Sequence, residues 1–512
     1  MDDGTPADLD ERRVIAEREV MLELQRAMLP DGLPVLPEVS IAAEYAPADS
    51  PSSLGGDWFD VVPMPGDRVG LVVGDAVGHG PAAVAVMGQL RAVAAEWLRQ
   101  GSGLDEVITA LDGCAAGLSG ARGCAMCLAV LDRRSGAVRY AVRGHPPPLV
   151  VGVDGSTTFR TEATGPPLAL ARNRYTLGGA GLAPGETLVL YSDGVVERPG
   201  RTFGQGLAEL ALCAGAVVRR GTTGERGRPG EICAAVTREL AGPGSRHDDV
   251  SVVAVTMLTG RPQPMTMTET AVATCLGPVR GVFSAWLRGF QPAEDDLVAL
   301  ELSLVEAVTN SIEHAFTGPP GEVRVDAELD GAGSVNVVVT DNGRWKPPRV
   351  DPGFRGRGLV MMREFSDDLM LRTSEEGTTV RIVKALHRPV SLDGMTRARP
   401  RRPERTDFRM DVKVEPERVV VSLAGAIDSS CVDRLHAGLL DATRRGILPL
   451  VVVLDEVTLL ASAGLRTLYE HAGNVLSARR SIRLVVADSN PARDVLAVSG
   501  LDRLVEVAPQ LG

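Results

Sequence analysis

The stretch Leu71 to Gly80 reads Leu-Val-Val-Gly-Asp-Ala-Val-Gly-His-Gly and sets an aspartate where an apolar run meets a glycine-rich turn. The three apolar residues predict a short buried strand, and Gly74, Gly78 and Gly80 predict a turn. Pro81 and the Ala/Val/Leu run after it predict a helix start. Asp75 is then held at the end of a rigid element. Glycines beside an acid let the backbone approach whatever the acid holds, and a carboxylate with a nearby backbone carbonyl is a ligand set for a hard divalent cation. One acid makes no such site. Acids stand at three more places where apolar strands meet turns: Asp57 in Gly55-Gly56-Asp57-Trp58-Phe59-Asp60, Asp193 in Ser192-Asp193-Gly194, and Asp248 with Asp249 before Val250 to Val255. Any one alone is an ordinary turn residue. Their recurrence between positions 57 and 249 points to a convergent site.

A second constellation begins in Glu301-Leu-Ser-Leu-Val-Glu306-Ala-Val-Thr-Asn310-Ser-Ile-Glu313-His314. On a helix, Glu306, Asn310 and either Glu313 or His314 share one face. Downstream come Thr340-Asp341-Asn342-Gly343, Gly353-Phe-Arg-Gly356-Arg357-Gly358 and Gly377-Thr378-Thr379. A third is Thr458-Leu-Leu-Ala461-Ser462-Ala463-Gly464, between an apolar strand and a helical pattern, with Gly425-Ala-Ile-Asp428 before it. Ser462 is placed to cap that helix.

These motifs resemble three known families in order. Gly-Gly-Asp-Trp-Phe-Asp, Gly-Asp-Ala-Val-Gly-His-Gly, Gly144-His145-Pro146-Pro147-Pro148, Leu190-Tyr-Ser-Asp-Gly194 and His247-Asp-Asp-Val-Ser251 are similar to the ordered motifs of PPM serine/threonine phosphatases of the SpoIIE/RsbU type. The resemblance implies that Asp75 bridges two Mn2+ or Mg2+ ions, the Ala76 carbonyl adds a ligand, Asp57 serves one metal, and Asp193 and Asp248 serve the other. Two cations sharing a carboxylate acidify a bound water, align it with a phosphoryl group and neutralise the developing charge. The second constellation resembles the boxes of the GHKL ATP-binding fold in its short RsbW-type form, that of anti-sigma-factor serine kinases. It implies that Asn310 helps hold Mg2+, Asp341 bonds the adenine amino group and Gly343 gives close approach to the base. Gly356 and Gly358 sit in the lid by the phosphates, and Thr378 supports the nucleotide. The same resemblance implies that Glu306 is the general base for the serine proton. The third resembles the phosphorylation motif of STAS anti-anti-sigma domains, with Ser462 the phosphosite. Ala461 stands where that family commonly has Asp, and Val453 where it is usually acidic.

Elements to position these groups follow from pattern. The expected fold class is multidomain α+β and α/β: a PPM β-sandwich flanked by helices, a GHKL α/β sandwich and a STAS α/β domain. The expected segments are an N-terminal linker helix at 1–29, phosphatase at 30–258, the kinase-like domain at 266–388, a Pro/Arg-rich linker at 389–408 and STAS at 409–512. Glu11 to Met28 is helical in period, a candidate dimer contact. Pro199 to Ile232 loosens into what reads as a mobile surface loop, and Leu386 to Arg409, with its prolines and Arg397 to Arg402, reads as an extended linker that buries little.

The totals exclude some functions. A net charge of -12 and 4% aromatic residues argue against a nucleic-acid surface. No uninterrupted apolar run reaches membrane-span length, and the acidic, polar start differs from a signal peptide, so a cytoplasmic protein with no membrane partner is expected. Seven scattered cysteines suit reduced core thiols, and Cys124-Ala-Met-Cys127 reads as strand interior.

The combined expectation is a partner switch in one polypeptide. A metal-dependent phosphatase acts on a phosphorylated STAS protein or on its own STAS domain, an ATP- and Mg2+-dependent kinase modifies Ser462 or a counterpart in trans, and a sigma factor is the released partner. The alternative is an active phosphatase whose kinase-like and STAS domains form a non-catalytic binding scaffold.

Overall fold

The apolar run before Asp75 is a strand, Arg68–Asp75, paired antiparallel with Asp57–Met64 so that Asp57 and Asp75 lie opposite one another. The computed structural model describes residues 18–49, 55–171, 174–221, 224–242, 246–316, 318–344, 357–392, 408–444, 449–477 and 481–511. The chain divides into two compact units.

The first unit stacks two sheets. One is five-stranded and antiparallel, running Asp57–Met64, Arg68–Asp75, Ala125–Asp132, Ala137–Arg143, Leu177–Gly181. The other is six-stranded, with Val39–Ala46, Val250–Met257 and Thr187–Tyr191 at its centre. Ile41, Leu190 and Val253 from the second sheet share a core with Trp58, Leu71 and Leu128 from the first. Each such side chain contributes roughly 1.5–3 kcal/mol by leaving water. Helix Pro81–Arg99, opened by a proline at its start, lays Val84, Met87, Leu90 and Leu98 into the unit's interior. Of the Cys-x-x-Cys stretch, Ala125 to Cys127 lie in the strand Ala125–Asp132, while Cys124 is buried just before it, and both thiols are free.

Two expectations for this unit need correcting. The supposed loop from Pro199 contains helices Phe203–Arg220 and Arg228–Leu240, which pack Leu210, Val217, Ile232 and Val236 against Val189 and Val252. Thr202 and Gln205 form a capping box and Gly221 ends the first helix in a left-handed turn, signals that the glycine-rich composition concealed. The supposed linker is anchored at its start. His387–Arg388 pairs with Leu33–Pro34, and Ser391–Leu392 adds a parallel edge strand beside Glu44 and Tyr45. Arg388 is buried and donates to Ser40 Oγ at 2.7 Å and the Ile41 carbonyl at 2.8 Å, so its charge is held by acceptors rather than solvated. The basic run Arg397 to Arg402 lies outside the described residues, as does the helical pattern before residue 18.

The second unit carries two more sheets. Met265–Thr270, Glu322–Leu329, Ser334–Asp341, Thr378–Ala385 and Asp368–Thr373 form an antiparallel sheet, with helices Leu276–Arg288, Glu294–His314 and Arg357–Glu364. The last sheet runs Arg409–Val414, Val419–Ile427, Leu450–Leu460, Ile482–Val485, Glu506–Ala508, parallel after its first pair. Alternating helices Val432–Arg444, Ser462–Ser477 and Ala492–Ser499 match the α/β pattern. Val453, the departure from an acidic residue, packs on Val420, Val451 and Val485, where a carboxylate would be desolvated. Among the described residues, no helix is long and apolar enough to cross a membrane.

Candidate active sites

In the first unit, strand pairing builds the acidic cluster. Asp57 and Asp75 face each other across one sheet. Asp193 opens a turn after Thr187–Tyr191, and Asp248 precedes Val250–Met257, the strand paired with it. Asp75 and Asp193 line one cavity of about 160 Å³. Gly56 makes this approach possible: a Cβ there would stand 2.5 Å from Asp75 Oδ1 and 2.9 Å from the Ala76 carbonyl oxygen. The Ala76 N–H donates to the Gly56 carbonyl at 2.9 Å, which fixes that peptide.

The carboxylates repel one another. Burial, then the charges of Asp193, Asp248 and Asp249, pushes the Asp75 pKa up to about 8. Burial and Asp75 raise Asp57 strongly, and desolvation with Asp193 and Asp249 nearby raises Asp248 to about 6. Asp57 Oδ2 and Asp193 Oδ1 are buried without a hydrogen-bond partner. A cation cures both conditions, so the donor set fits a divalent ion. Among the described residues no three His, Cys, Asp or Glu side chains form a ready cage.

Two neighbouring aspartates are told apart here. Asp249 is saturated: it accepts from Tyr45 Oη at 2.6 Å, and from Gln25 Nε2, the Ala48 N–H and the Gly55 N–H at 2.8 Å each. It is a scaffold, tying the helix over 18–28 to the Gly55-Gly56 turn, while Asp248 keeps acceptor capacity. Sequence reasoning gave no role to His145, which lines the cavity with Glu197 and Phe203. His145 is buried, and burial pushes its pKa down to about 4. The signal available was the His-Pro-Pro-Pro run itself.

A melting experiment reads the repulsion. Unfolded carboxylates ionise near 4, whereas Asp75 holds its proton to about 8. The folded, cation-free protein therefore binds more protons than the unfolded chain between those limits, and its stability falls as pH rises through that window. In chelator, Tm is expected to drop from pH 5 to pH 8. Mn2+ at a hundredfold excess over its Kd should restore about 2.7 kcal/mol at pH 8, or ~5–10 °C. A Tm indifferent to both pH and Mn2+ would show that the aspartates do not share a site.

In the second unit, Glu306 sits mid-helix in Glu294–His314 and is 1% exposed. Its carboxylate takes two hydrogen bonds from one residue: the Ser462 N–H at 2.6 Å and the Ser462 hydroxyl at 2.7 Å. Burial raises the Glu306 pKa, partly offset by those bonds. Ser462 does not cap its helix, contrary to expectation; the Ala461 carbonyl accepts the first helical bond from Leu465, and the hydroxyl is committed to Glu306. Gly358 lies against this contact, since a Cβ there would be 2.5 Å from Glu306 Oε2 and 3.8 Å from Ser462 Oγ. Asp428 forms an ion pair with Arg280 at 3.5 Å, a second tie between the two domains of this unit.

Asp341 is buried and anchored by the Ser311 hydroxyl at 2.8 Å, the Gly343 N–H at 3.1 Å and the Thr378 N–H at 3.2 Å. Gly343, Thr378 and Asp341 are thus brought together, and Thr378 Oγ1 is buried without a partner. Gly343 admits no Cβ because the Ala315 carbonyl would stand 2.4 Å from it. Asn310 is half-buried on the helix of Glu306. Gly356 lies outside the described residues.

Comparison with known proteins agrees with this layout. Three families match in order: Stage II sporulation protein E over residues 65–258, a histidine kinase-like ATPase domain over 270–384, and the STAS domain described as Mlab over 410–506. The anti-sigma F factor of Heyndrickxia coagulans is 30% identical over 116 residues, 20% of this chain and 79% of that protein. Protein IcfG of Synechocystis is 27% identical over 275 residues, 47% of this chain, which spans only 41% of IcfG. The crystal structure of the RsbU and RsbW domains of a Mycobacterium tuberculosis protein superposes with a TM-score of 0.63 at 30% identity, covering 70% of this chain and 98% of that one. A phosphatase-type domain, an anti-sigma-kinase-type domain and a STAS domain in this order place the chain in the RsbU–RsbW family of partner-switching regulators, with STAS as its third module.

Proposed function

We propose that this chain writes and erases one phosphate on itself: the kinase-like domain phosphorylates Ser462 in cis, and the PPM domain hydrolyses phosphoserine of STAS type, its own or a partner's. The observation that carries the reading is the Ser462 hydroxyl resting on Glu306 at 2.7 Å. Bound Mg2+ and ATP supply the phosphoryl group. Glu306 takes the Ser462 proton as the Ser462 Oγ–P bond forms, the bond from the γ-phosphorus to the bridging oxygen breaks, and ADP leaves. Asp341, Gly343 and Thr378 are the proposed adenine and nucleotide contacts, Asn310 the Mg2+ contact, and Gly356 and Gly358 the lid. In the eraser, Asp57, Asp75, the Ala76 carbonyl, Asp193 and Asp248 hold two Mn2+ or Mg2+ ions, which supply an acidified water and positive charge. The unmodified STAS surface occupies the kinase domain and a sigma factor is set free. A homodimer through the N-terminal helix belongs to the same reading, supported by the exposed Val20 and Leu24.

The test of cis action uses two inactive chains. Full-length protein with ATP and Mg2+ should acquire phosphate on Ser462 by mass spectrometry, at a first-order rate independent of protein concentration. An equimolar mixture of Ser462→Ala and Glu306→Ala chains should stay unlabelled. Labelling of the mixture would move the reaction to trans, and no label in any chain would favour the scaffold, toward which Ala461 in place of an acid already leans.

A further inference from the structure

We propose that Arg466 binds the phosphoryl group as it passes from ATP to Ser462, so that the STAS domain carries into the kinase site the arginine its own modification needs. This rests on the cis-kinase reading above.

Helix geometry puts the side chain there. Arg466 lies four residues after Ser462 on helix Ser462–Ser477. Residues at that spacing are neighbours on one face, with Cβ atoms about 5–6 Å apart. Side chains on a helix lean toward its N-terminus, so a long one at position 466 runs back over residue 462. Glu306 registers the charge. Burial raises the Glu306 pKa, the two bonds from Ser462 oppose the rise, Glu313 adds to it, and the Arg466 guanidinium lowers it. Arg466 therefore stands on the side of its helix that meets the kinase-like domain, beside the hydroxyl that would accept the phosphate.

The guanidinium is also uncommitted. Arg466 is half-buried, and among the described residues its side chain forms no hydrogen bond or ion pair. Other arginines of this unit are taken: Arg280 pairs with Asp428 at 3.5 Å, and Arg434 lies over the Phe408 ring.

The chemistry calls for such a group. A triphosphate brought to Ser462 meets two carboxylates, the buried Glu306 and the nearby Glu313. Transfer spreads negative charge over three equatorial oxygens, and a planar fork of N–H donors holds two of them at once. Glu306 takes the Ser462 proton and the Oγ–P bond forms. The bond from the γ-phosphorus to the bridging oxygen breaks, its electron pair leaves on ADP, and Arg466 stays protonated throughout. Phosphoserine and Arg466 then remain paired at i and i+4 on one helix. The guanidinium that had been drawn to Glu306 turns to the phosphate, which removes one attraction between the STAS and kinase-like domains.

The experiment follows ATP- and Mg2+-dependent labelling of Ser462 in full-length chains that all carry Asp75→Asn, so that hydrolysis does not mask the initial rate. Adding Arg466→Gln should lower the maximal rate by about 10²-fold, the cost of removing one donor aimed at transition-state charge. The ATP concentration for half-maximal rate should move less than about threefold, because the lost contact belongs to the transition state. Arg466→Lys keeps the charge without the fork and should recover part of the loss. Hydrogen exchange at the start of helix Ser462–Ser477, without nucleotide, checks that Ser462 still rests on Glu306. Undiminished labelling in Arg466→Gln overturns the inference and leaves the kinase reading standing. Slow labelling accompanied by exchange as fast as in Glu306→Ala also overturns it, making Arg466 a docking residue. A lysine chain no faster than the glutamine chain overturns the role given to the charge. No label on the chain with Arg466 intact removes the kinase reading and this inference with it.

Discussion

Asp75→Asn is expected to lower Mn2+-dependent release of phosphate from a phospho-STAS substrate by on the order of 10³-fold, because it removes the charge shared by both proposed cations. The substitution is nearly isosteric, so the strand Arg68–Asp75 and its pairing with Asp57–Met64 should persist. A second signature separates this from unfolding. In chelator at pH 8 the variant should melt higher than wild type, since it deletes a buried acid whose neighbours Asp193, Asp248 and Asp249 oppose its ionisation. Mn2+ should then no longer raise its Tm. Full phosphatase activity in Asp75→Asn, measured with phosphate release at saturating Mn2+, would remove the proposed bridging carboxylate.

Glu306→Gln is expected to reduce ATP-dependent labelling of Ser462 by about 10²–10⁴-fold, the range for losing a positioned general base. The amide keeps the size of the carboxylate and one accepting oxygen, so ATP affinity should change little. Docking should weaken as well. Hydrogen bonds to a charged acceptor are worth roughly 1.5–3 kcal/mol against about 0.5–1.5 for neutral ones, and Ser462 makes two of them to Glu306. Hydrogen exchange at the start of helix Ser462–Ser477 should therefore quicken in Glu306→Gln and more so in Glu306→Ala. The same arithmetic bears on the product. A phosphate on Ser462 removes the donated proton and sets about −1.5 to −2 charges against a buried carboxylate, so the phosphorylated STAS surface should leave the kinase domain. Unchanged labelling in Glu306→Gln would mean that another group takes the proton.

Much of the layout was legible from residue types. The strand ahead of Asp75, the helix after Pro81, the helix bearing Glu306 and Asn310, and the α/β alternation after Arg409 all follow from apolar period and turn chemistry, which are local properties. Composition misled where local signals were diluted. The loosened pattern from Pro199 hid the helix Phe203–Arg220, whose capping box needed to be weighed above its glycines. The prolines after Leu386 hid the edge strand Ser391–Leu392, because pairing with Glu44 and Tyr45 joins positions too far apart in sequence for any window to detect.

By itself the sequence determined which chemical groups exist and on which kind of element each sits: strand-end aspartates, a helical glutamate with an asparagine one turn on, a serine ahead of a helix. Only the tertiary structure decided which of them meet. Asp57 faces Asp75 through strand register, Asp249 spends its acceptors on Tyr45, Gln25 and two backbone amides while Asp248 keeps capacity, and Glu306 finds Ser462 across 156 positions. The reason is physical: propensity and capping act between near neighbours, whereas a carboxylate's pKa and partners depend on what burial brings within a few ångströms, and that is set by packing.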